Sequence, residues 1–335
     1  MILVTGGTGL VGAHLLFQLT QKEVKVRALR RSPASVSQTK KIFSYYTSQP
    51  EKYYSKIEWV EADILDYDSL VQALKDVEKV YHTAAIVSFN PQDEAKIIET
   101  NIIGTTNIVN ASLEKKIKKL CYVSSVAALG SAGMEGVTTE DSEWRSGLKT
   151  SAYAISKHEA EREVWRGTAE GIKAVIVNPT IILGPGNFNT GSSKMFQTVY
   201  NGLNFYSGGL NGYVDVNDVA KAMIILMEGK YSGERYILNS ENLSYQQVFK
   251  MMADSLGVEP PKYKAGKFMG EIGWRMLRAR SFFTGKSPLI TKQTARTANS
   301  IYRYSSEKFV NSTGMQFTPM EESIKKTAAI FLKDK

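Results

Sequence analysis

Residues 5–12 read Thr5-Gly6-Gly7-Thr8-Gly9-Leu10-Val11-Gly12, between the apolar run Met1–Val4 and the amphipathic segment Leu10–Thr20. A strand that turns into a helix through glycines at this spacing has few options. Gly6 permits the tight turn, Gly9 lets a ligand approach the backbone without a Cβ in the way, and Gly12 lets the helix pack closely on the strand. The first N–H groups of the helix then face outward with a partial positive charge, which suits a pyrophosphate. A purely structural turn is the competing reading. The strand before and the helix after favour a dinucleotide site contacted by Gly6, Thr8, Gly9, Leu10, Val11 and Gly12.

The pattern continues as a β-α alternation. Short runs rich in Val and Ile recur at Met1–Val4, Val24–Leu29, Ile57–Val60, Lys79–Tyr81, Leu120–Val123 and Ala174–Val177. Such runs suit strands covered on both faces. Helical patterns lie between them at Leu10–Thr20, Ser69–Leu74, Glu94–Leu113 and Tyr153–Ala169. The expected fold is α/β, a doubly wound parallel sheet of the Rossmann kind, with a smaller, mostly helical C-terminal substrate domain. The dinucleotide-binding domain is expected over residues 1–178, its sheet completed by parts of 213–240, where Val214–Met227 reads strand-then-helix and Arg235–Asn239 as a strand. Residues 179–335 are expected to be mostly substrate-binding. Residues 184–212 read as loops around a cleft, and Tyr245–Leu256, Lys267–Ala279 and Pro319–Leu332 as helices.

With 335 residues, 43% hydrophobic and 22% charged, the chain has an ordinary globular composition. One cysteine, Cys121, and three histidines exclude an internal disulfide and make no provision for a metal site. No apolar stretch approaches the ~18 residues of a membrane span. With a strand at the very start there is no room for a leader peptide, and a cytoplasmic protein is expected. The net charge of +9 is uneven: residues 1–261 hold 27 Lys and Arg against 28 Asp and Glu, and residues 262–335 hold 15 against 5. A solvated basic surface explains this balance most simply; peripheral contact with an anionic membrane is the alternative, and no nucleic-acid motif accompanies the charge.

The second strand bears on the choice of cofactor. It runs into Arg30-Arg31-Ser32 with no carboxylate to meet a ribose 2′-hydroxyl. Two guanidiniums fit a 2′-phosphate, so NADP(H) is favoured over NAD(H), although one Arg stacking on the adenine would serve either. Asp63, with Ile64 beside it, is placed to accept from the adenine amino group, and Thr83, Ala84 and Ala85 follow the fourth strand where a backbone must pass the cofactor. His82 reads as structural.

Tyr153-Ala154-Ile155-Ser156-Lys157 opens a helix, with Tyr153 and Lys157 on one face at i, i+4. A lysine cation is expected to lower the tyrosine pKa from about 10 toward neutrality. Alone, this spacing fits any surface Tyr and Lys. Ser124-Ser125, however, ends the strand Leu120–Val123 on the edge where α/β sheets place their sites. A serine, a tyrosine and a lysine there can polarise a carbonyl, protonate it and hold a cofactor ribose.

The chain resembles the extended short-chain dehydrogenase/reductase family, also called the NAD-dependent epimerase/dehydratase family. The resemblance rests on T-G-x-x-G-x-x-G, on V-S-S after the fifth strand and on Y-x-x-S-K. It also rests on His82-Thr83-Ala84-Ala85, Thr100-Asn101 with Gly104-Thr105, Asn178-Pro179-Thr180 and the stretch from Tyr213 to Ala220. It implies Tyr153 as acid/base, Lys157 as its partner and Ser125, rather than Ser124, as the carbonyl-binding serine. Asn101 would support a proton relay or the helix backbone, and Pro179 and Thr180 would line the nicotinamide end. Val126-Ala127-Ala128-Leu129 lacks the acid of the family's dehydratases, and Leu129 stands where many epimerases have tyrosine. The stretch is most similar to the dihydroflavonol reductase-like and 3β-hydroxysteroid dehydrogenase-like branches. The expected activity is therefore interconversion of a ketone or aldehyde and an alcohol, on a small-molecule substrate. A sugar-nucleotide epimerase is the alternative, and a non-catalytic NADP-sensing protein a further one. A homodimer is also implied by the resemblance. Phe268, Met269, Ile272, Met276, Trp274 and Leu277, with Arg275, Arg278 and Arg280 among them, read as a core helix with a basic face or as a lid over the substrate.

Overall fold

The computed structural model describes residues 1–133, 136–145, 147, 150–266 and 298–335. The expected helix Lys267–Ala279 and its candidate lid residues lie outside the described residues. The strands are β1 Ile2–Thr5, β2 Val26–Arg30, β3 Ile57–Glu61, β4 Lys79–His82, β5 Lys119–Val123, β6 Lys173–Pro179, β7 Ile181–Leu183, β8 Phe205–Ser207, β9 Leu210–Asp215, β10 Glu234–Leu238, β11 Glu241–Ser244 and β12 Tyr263–Ala265. Seven of them form one parallel sheet in the order β10-β6-β5-β4-β1-β2-β3. The chain order reverses beside β1, so the crevice expected to take a ligand lies above β1 and β4.

Helices cover both faces. They are α1 Leu10–Thr20, α2 Ser37–Ser44, α3 Pro50–Tyr54, α4 Tyr67–Ala73, α5 Glu94–Ile98, α6 Gly104–Glu114, α7 Ala152–Ala169, α8 Lys194–Tyr200, α9 Val216–Glu228, α10 Tyr245–Leu256, α11 Glu307–Thr313 and α12 Met320–Lys333. Strand pleating sends alternate residues to opposite cores. Val4, Ala28, Tyr81, Cys121 and Val175 pack with Leu15, Leu19, Val219 and Met223 of α1 and α9. Their neighbours Leu3, Leu29, Val80, Leu120 and Ile176 pack with Leu70, Ile108 and Val164 of α4, α6 and α7. Burial on both faces is why these strands read as unbroken apolar runs.

The C-terminal portion is mostly helical. Phe196 and Val199 of α8, Val248 and Met252 of α10 and Ile324 and Phe331 of α12 form a third core over β7 and β9. Two carboxylates dock α12: Asp215 accepts from Ser323 Oγ at 2.5 Å, and Asp218 from the Thr318 N–H at 2.6 Å. Beyond residue 297 the chain returns across β9, where Leu210 donates to the Ser300 carbonyl. It then reaches Thr138, whose N–H donates to the Arg303 carbonyl at 2.8 Å.

Three local expectations are corrected. The second strand begins at Val26, not Val24, because Val24 is solvated and the ladder opens with Ile2 opposite Val26. The helix expected over Glu94–Leu113 is broken by a π-turn, Glu99–Ile103, which turns Asn101 inward. Residues 184–212 hold α8, β8 and the start of β9 rather than loops alone. Their apolar repeats are too short for a periodicity window, and the third core orders them.

Candidate active site

Every predicted site residue outside the helices lies at the carboxyl edge of the main sheet, just past β1 to β6. Gly6 has φ +67°, and a Cβ there would meet the Ala84 backbone N at 2.6 Å. A Cβ on Gly12 would drive into the Gly6 carbonyl, so the glycine turn and the helix touch there through backbone. Gly9 differs: among the described residues a Cβ there would meet the Gly6 oxygen alone, at 3.3 Å, and the residue is exposed. It begins α1 with no side-chain cap and no acid in the first turn, leaving the N–H groups of Leu10, Val11 and Gly12 for an external anion. Thr8 is half-buried in the same turn.

Arg30 ends β2 with Nε buried and without a hydrogen-bond partner among the described residues, and Arg31 beside it is exposed. A buried guanidinium N–H lacking an acceptor, next to a second cation and near an uncapped helix N-terminus, fits an anionic dinucleotide. Asp63 is half-buried, and its Oδ1 accepts from the Leu65 N–H at 2.9 Å. The Ile64 side chain lies in the core, packed where Gly104 leaves room, and its carbonyl accepts from Asn107 Nδ2 at 3.0 Å. Thr83 donates its hydroxyl to the Thr5 carbonyl at 2.7 Å, which seats Ala84 and Ala85 against the glycine turn. Pro179 closes β6, and the Thr180 hydroxyl donates to the Leu238 carbonyl at 3.2 Å.

The serine, tyrosine and lysine converge. Ser125 caps a short 3₁₀ turn after β5, its Oγ accepting from the Ala127 N–H at 3.1 Å. That bond fixes the hydroxyl, and the turn it caps packs on α7, where His158 Nδ1 lies 3.1 Å from the Ala128 carbonyl. Ser151 caps α7 through the Ala154 N–H at 3.0 Å, which sets the start of the helix and hence the place of Tyr153. Lys157, one turn on, is 3% exposed and donates to the Val123 carbonyl at 2.8 Å. Its Nζ also lies 3.4 Å from the Tyr122 hydroxyl.

This packing reverses one expectation. The Tyr153 pKa is raised by burial, with only the Ser125 hydrogen bond opposing. The Lys157 ammonium is turned to the strand end, and burial draws its own pKa down to about 7 while the Glu161 charge opposes. Asn101, expected to support a proton relay or the helix backbone, is bonded to backbone and to α7. Its Oδ1 accepts from the Ile86 N–H at 2.8 Å, and its Nδ2 donates to the Ile86 carbonyl and to Ser156 Oγ. It pins the segment after β4 to α7. His82 is structural: buried, with Nδ1 on Thr5 Oγ1 and Nε2 on Thr105 Oγ1, its pKa brought down to about 3 by burial.

Sequence reasoning missed two contributors. Phe89 packs against Tyr153 in a T-shaped pair, and nothing in its local pattern marks it. Glu161 accepts from Ser124 Oγ at 2.7 Å, which engages that serine away from Tyr153. The i+4 spacing of Glu161 from Lys157 was the available signal.

A sequence model described as the NAD dependent epimerase/dehydratase family matches residues 2–239. The chain belongs to this family. Together with the reductases among its relatives, this marks it as an NAD(P)-dependent enzyme of the oxidoreductase kind. Within the family it is similar to cinnamoyl-CoA reductase 1 of Petunia hybrida, 25% identical over 98% of this chain and 90% of the relative. It is also similar to dihydroflavonol 4-reductase of Gerbera hybrida, 25% identical over 80% of this chain and 75% of the relative. UDP-glucose 4-epimerase of Thermotoga maritima, solved with UDP-glucose, shares the fold at a TM-score of 0.77 and 21% identity, over 99% of each chain. Among the described residues no helix is long and apolar enough to cross a membrane, and no His, Cys, Asp and Glu cluster is arranged to hold a metal ion.

Proposed function

We propose that this chain is an NADP(H)-dependent carbonyl reductase or alcohol dehydrogenase, with Tyr153 as its acid/base. The meeting of the Ser125-capped turn past β5 with the start of α7, where Lys157 is anchored on the Val123 carbonyl at 2.8 Å one turn beyond Tyr153, supports the reading, because two hydroxyls and a cation gathered at one strand end can address one substrate oxygen. When bound, the nicotinamide supplies or accepts the hydride. The protein supplies the rest. Ser125 and Tyr153 hydrogen-bond the carbonyl oxygen, Tyr153 delivers its proton, and Lys157 stabilises the phenolate left behind and holds the ribose. Arg30 and Arg31 take the 2′-phosphate, the free N–H groups of Leu10, Val11 and Gly12 the pyrophosphate, and Asp63 the adenine. Thr83 to Ala85, Pro179 and Thr180 line the path to the nicotinamide.

The names of the reductase relatives support a ketone or aldehyde as substrate, and residues 179–335 are proposed to hold most of it. The test is NADPH and NADH consumption against a panel of dihydroflavonols, ketosteroids, aldehydes and keto-acids, with a sugar-nucleotide epimerisation assay alongside. Carbonyl-dependent loss of NADPH is expected. Epimerisation without net oxidation would replace this reading. Tyr153→Phe should lower turnover by roughly 10²- to 10⁴-fold while NADPH still binds, and full turnover in that variant would end the assignment.

A further inference from the structure

Glu161 is 2% exposed, yet its carboxylate joins three strands to one helix. Oε2 accepts from Ser124 Oγ on the end of β5 and from Asn178 Nδ2 on β6, at 2.7 and 2.9 Å. The same Asn178 amide donates to the Ser125 carbonyl at 3.1 Å. Oε1 accepts from Arg235 on β10 at 2.9 Å. Arg235 is itself held, its Nε donating to the Glu140 carbonyl at 3.0 Å, while Glu140 Oε1 accepts from the Ile237 N–H. Three donors converge on one buried carboxylate, which sits one helical turn beyond Lys157 and two beyond Tyr153.

We propose that Glu161 is a positioning residue for this site: its buried carboxylate is the counter-charge for Lys157 and ties the strand end carrying Ser125 to the helix carrying Tyr153. The inference rests on reading Tyr153 and Lys157 as the proton-transfer pair. Burying an ammonium without a counter-charge favours its neutral form, and a neutral amine cannot stabilise a phenolate. The groups facing Lys157 are few. Its own helix offers Glu161 and Tyr153. Strand β5 offers the Tyr122 phenol and β4 the His82 ring, which is uncharged at neutral pH. Arg235 of β10 pairs with Glu161 Oε1 at 2.9 Å and competes for the same carboxylate. Burial and Glu161 pull the lysine in opposite directions, and the result lies near neutrality.

The test is a pH titration of the full chain carrying ¹³Cε-labelled lysine, followed by NMR. The Lys157 signal is the one titrating near neutral pH, and its loss in Lys157→Met identifies it. Glu161→Gln keeps the shape and removes the charge, and should move the midpoint down by about one pH unit. Arg235→Gln removes the competing cation and should move it up. Opposite movements mark a charge effect; a scaffold effect would not change sign. NADPH affinity, read by fluorescence over the same pH range, should lose its alkaline limb earlier in Glu161→Gln and later in Arg235→Gln. An unmoved midpoint in both variants overturns the proposal. Should Glu161→Gln fail to fold, Arg235→Gln decides by the direction of its shift alone. Full turnover in Tyr153→Phe would defeat the underlying reading by a separate measurement.

Discussion

Phe89 and Tyr153 meet in a T-shaped pair, with centroids 5.7 Å apart and planes at 71°. Phe89 is 41% exposed, beside Val87 at 64%, so apolar surface opens to solvent next to Tyr153. An aromatic contact of this kind contributes about 0.5–1.5 kcal/mol. Phe89→Ala is expected to raise KM for an apolar carbonyl substrate roughly three- to tenfold, with a smaller change in kcat. Steady-state kinetics on the best substrate from the panel checks this; an unchanged KM would remove Phe89 from the substrate path.

Gly9 and Gly12 should separate binding from folding. A Cβ on Gly12 would drive into the Gly6 carbonyl, whereas on Gly9 it meets one atom at 3.3 Å. Gly12→Ala is therefore expected to cost about 1–3 kcal/mol of stability. Gly9→Ala should keep nearly the wild-type melting temperature and lose NADPH affinity. Thermal melts paired with NADPH titration of both variants make the comparison.

Arg30 and Arg31 should govern cofactor choice. Charge-assisted hydrogen bonds contribute about 1.5–3 kcal/mol. Replacing Arg31 with Glu, or Arg30 with Gln, should weaken NADPH binding by roughly tenfold or more and leave NADH binding nearly unchanged. Equal losses for both cofactors would favour adenine stacking by an arginine.

His82 and His14 predict acid lability. Burial lowers the first to about 3 and the second to about 4, from 6.5. Between those values and 6.5 the unfolded chain holds protons that the native one refuses. Their contribution is thus complete above pH 6.5 and is lost as the pH falls toward 4, by about 1.4 kcal/mol per pH unit for each group. Denaturant melts between pH 7 and pH 5 should steepen accordingly, and His82→Gln should flatten the dependence even if its absolute stability is lower.

Legibility followed the range of the interactions. Helix α1 was readable to its last residue, Leu10–Thr20, because an apolar face and a glycine turn are local. The doubly wound sheet was readable because strands buried on both faces have to be apolar throughout. Helices α2 and α3 went unread, since α2 buries little beyond Thr39, Ile42 and Phe43 and α3 buries nothing fully. The π-turn at Glu99–Ile103 also left no periodic trace.

The sequence by itself determined the parallel sheet, the crevice edge on which the site residues gather, and the glycine turn that opens one end of it. Only the tertiary structure decided which way charges and hydroxyls point. It engaged Ser124 with Glu161, bound Asn101 to Ile86, turned Lys157 toward the Val123 carbonyl, and raised the Tyr153 pKa where spacing alone predicted a fall. The reason is physical: spacing along a helix states which residues share a face, whereas protonation and hydrogen bonding depend on how deeply that face is buried and on what other strands bring to meet it.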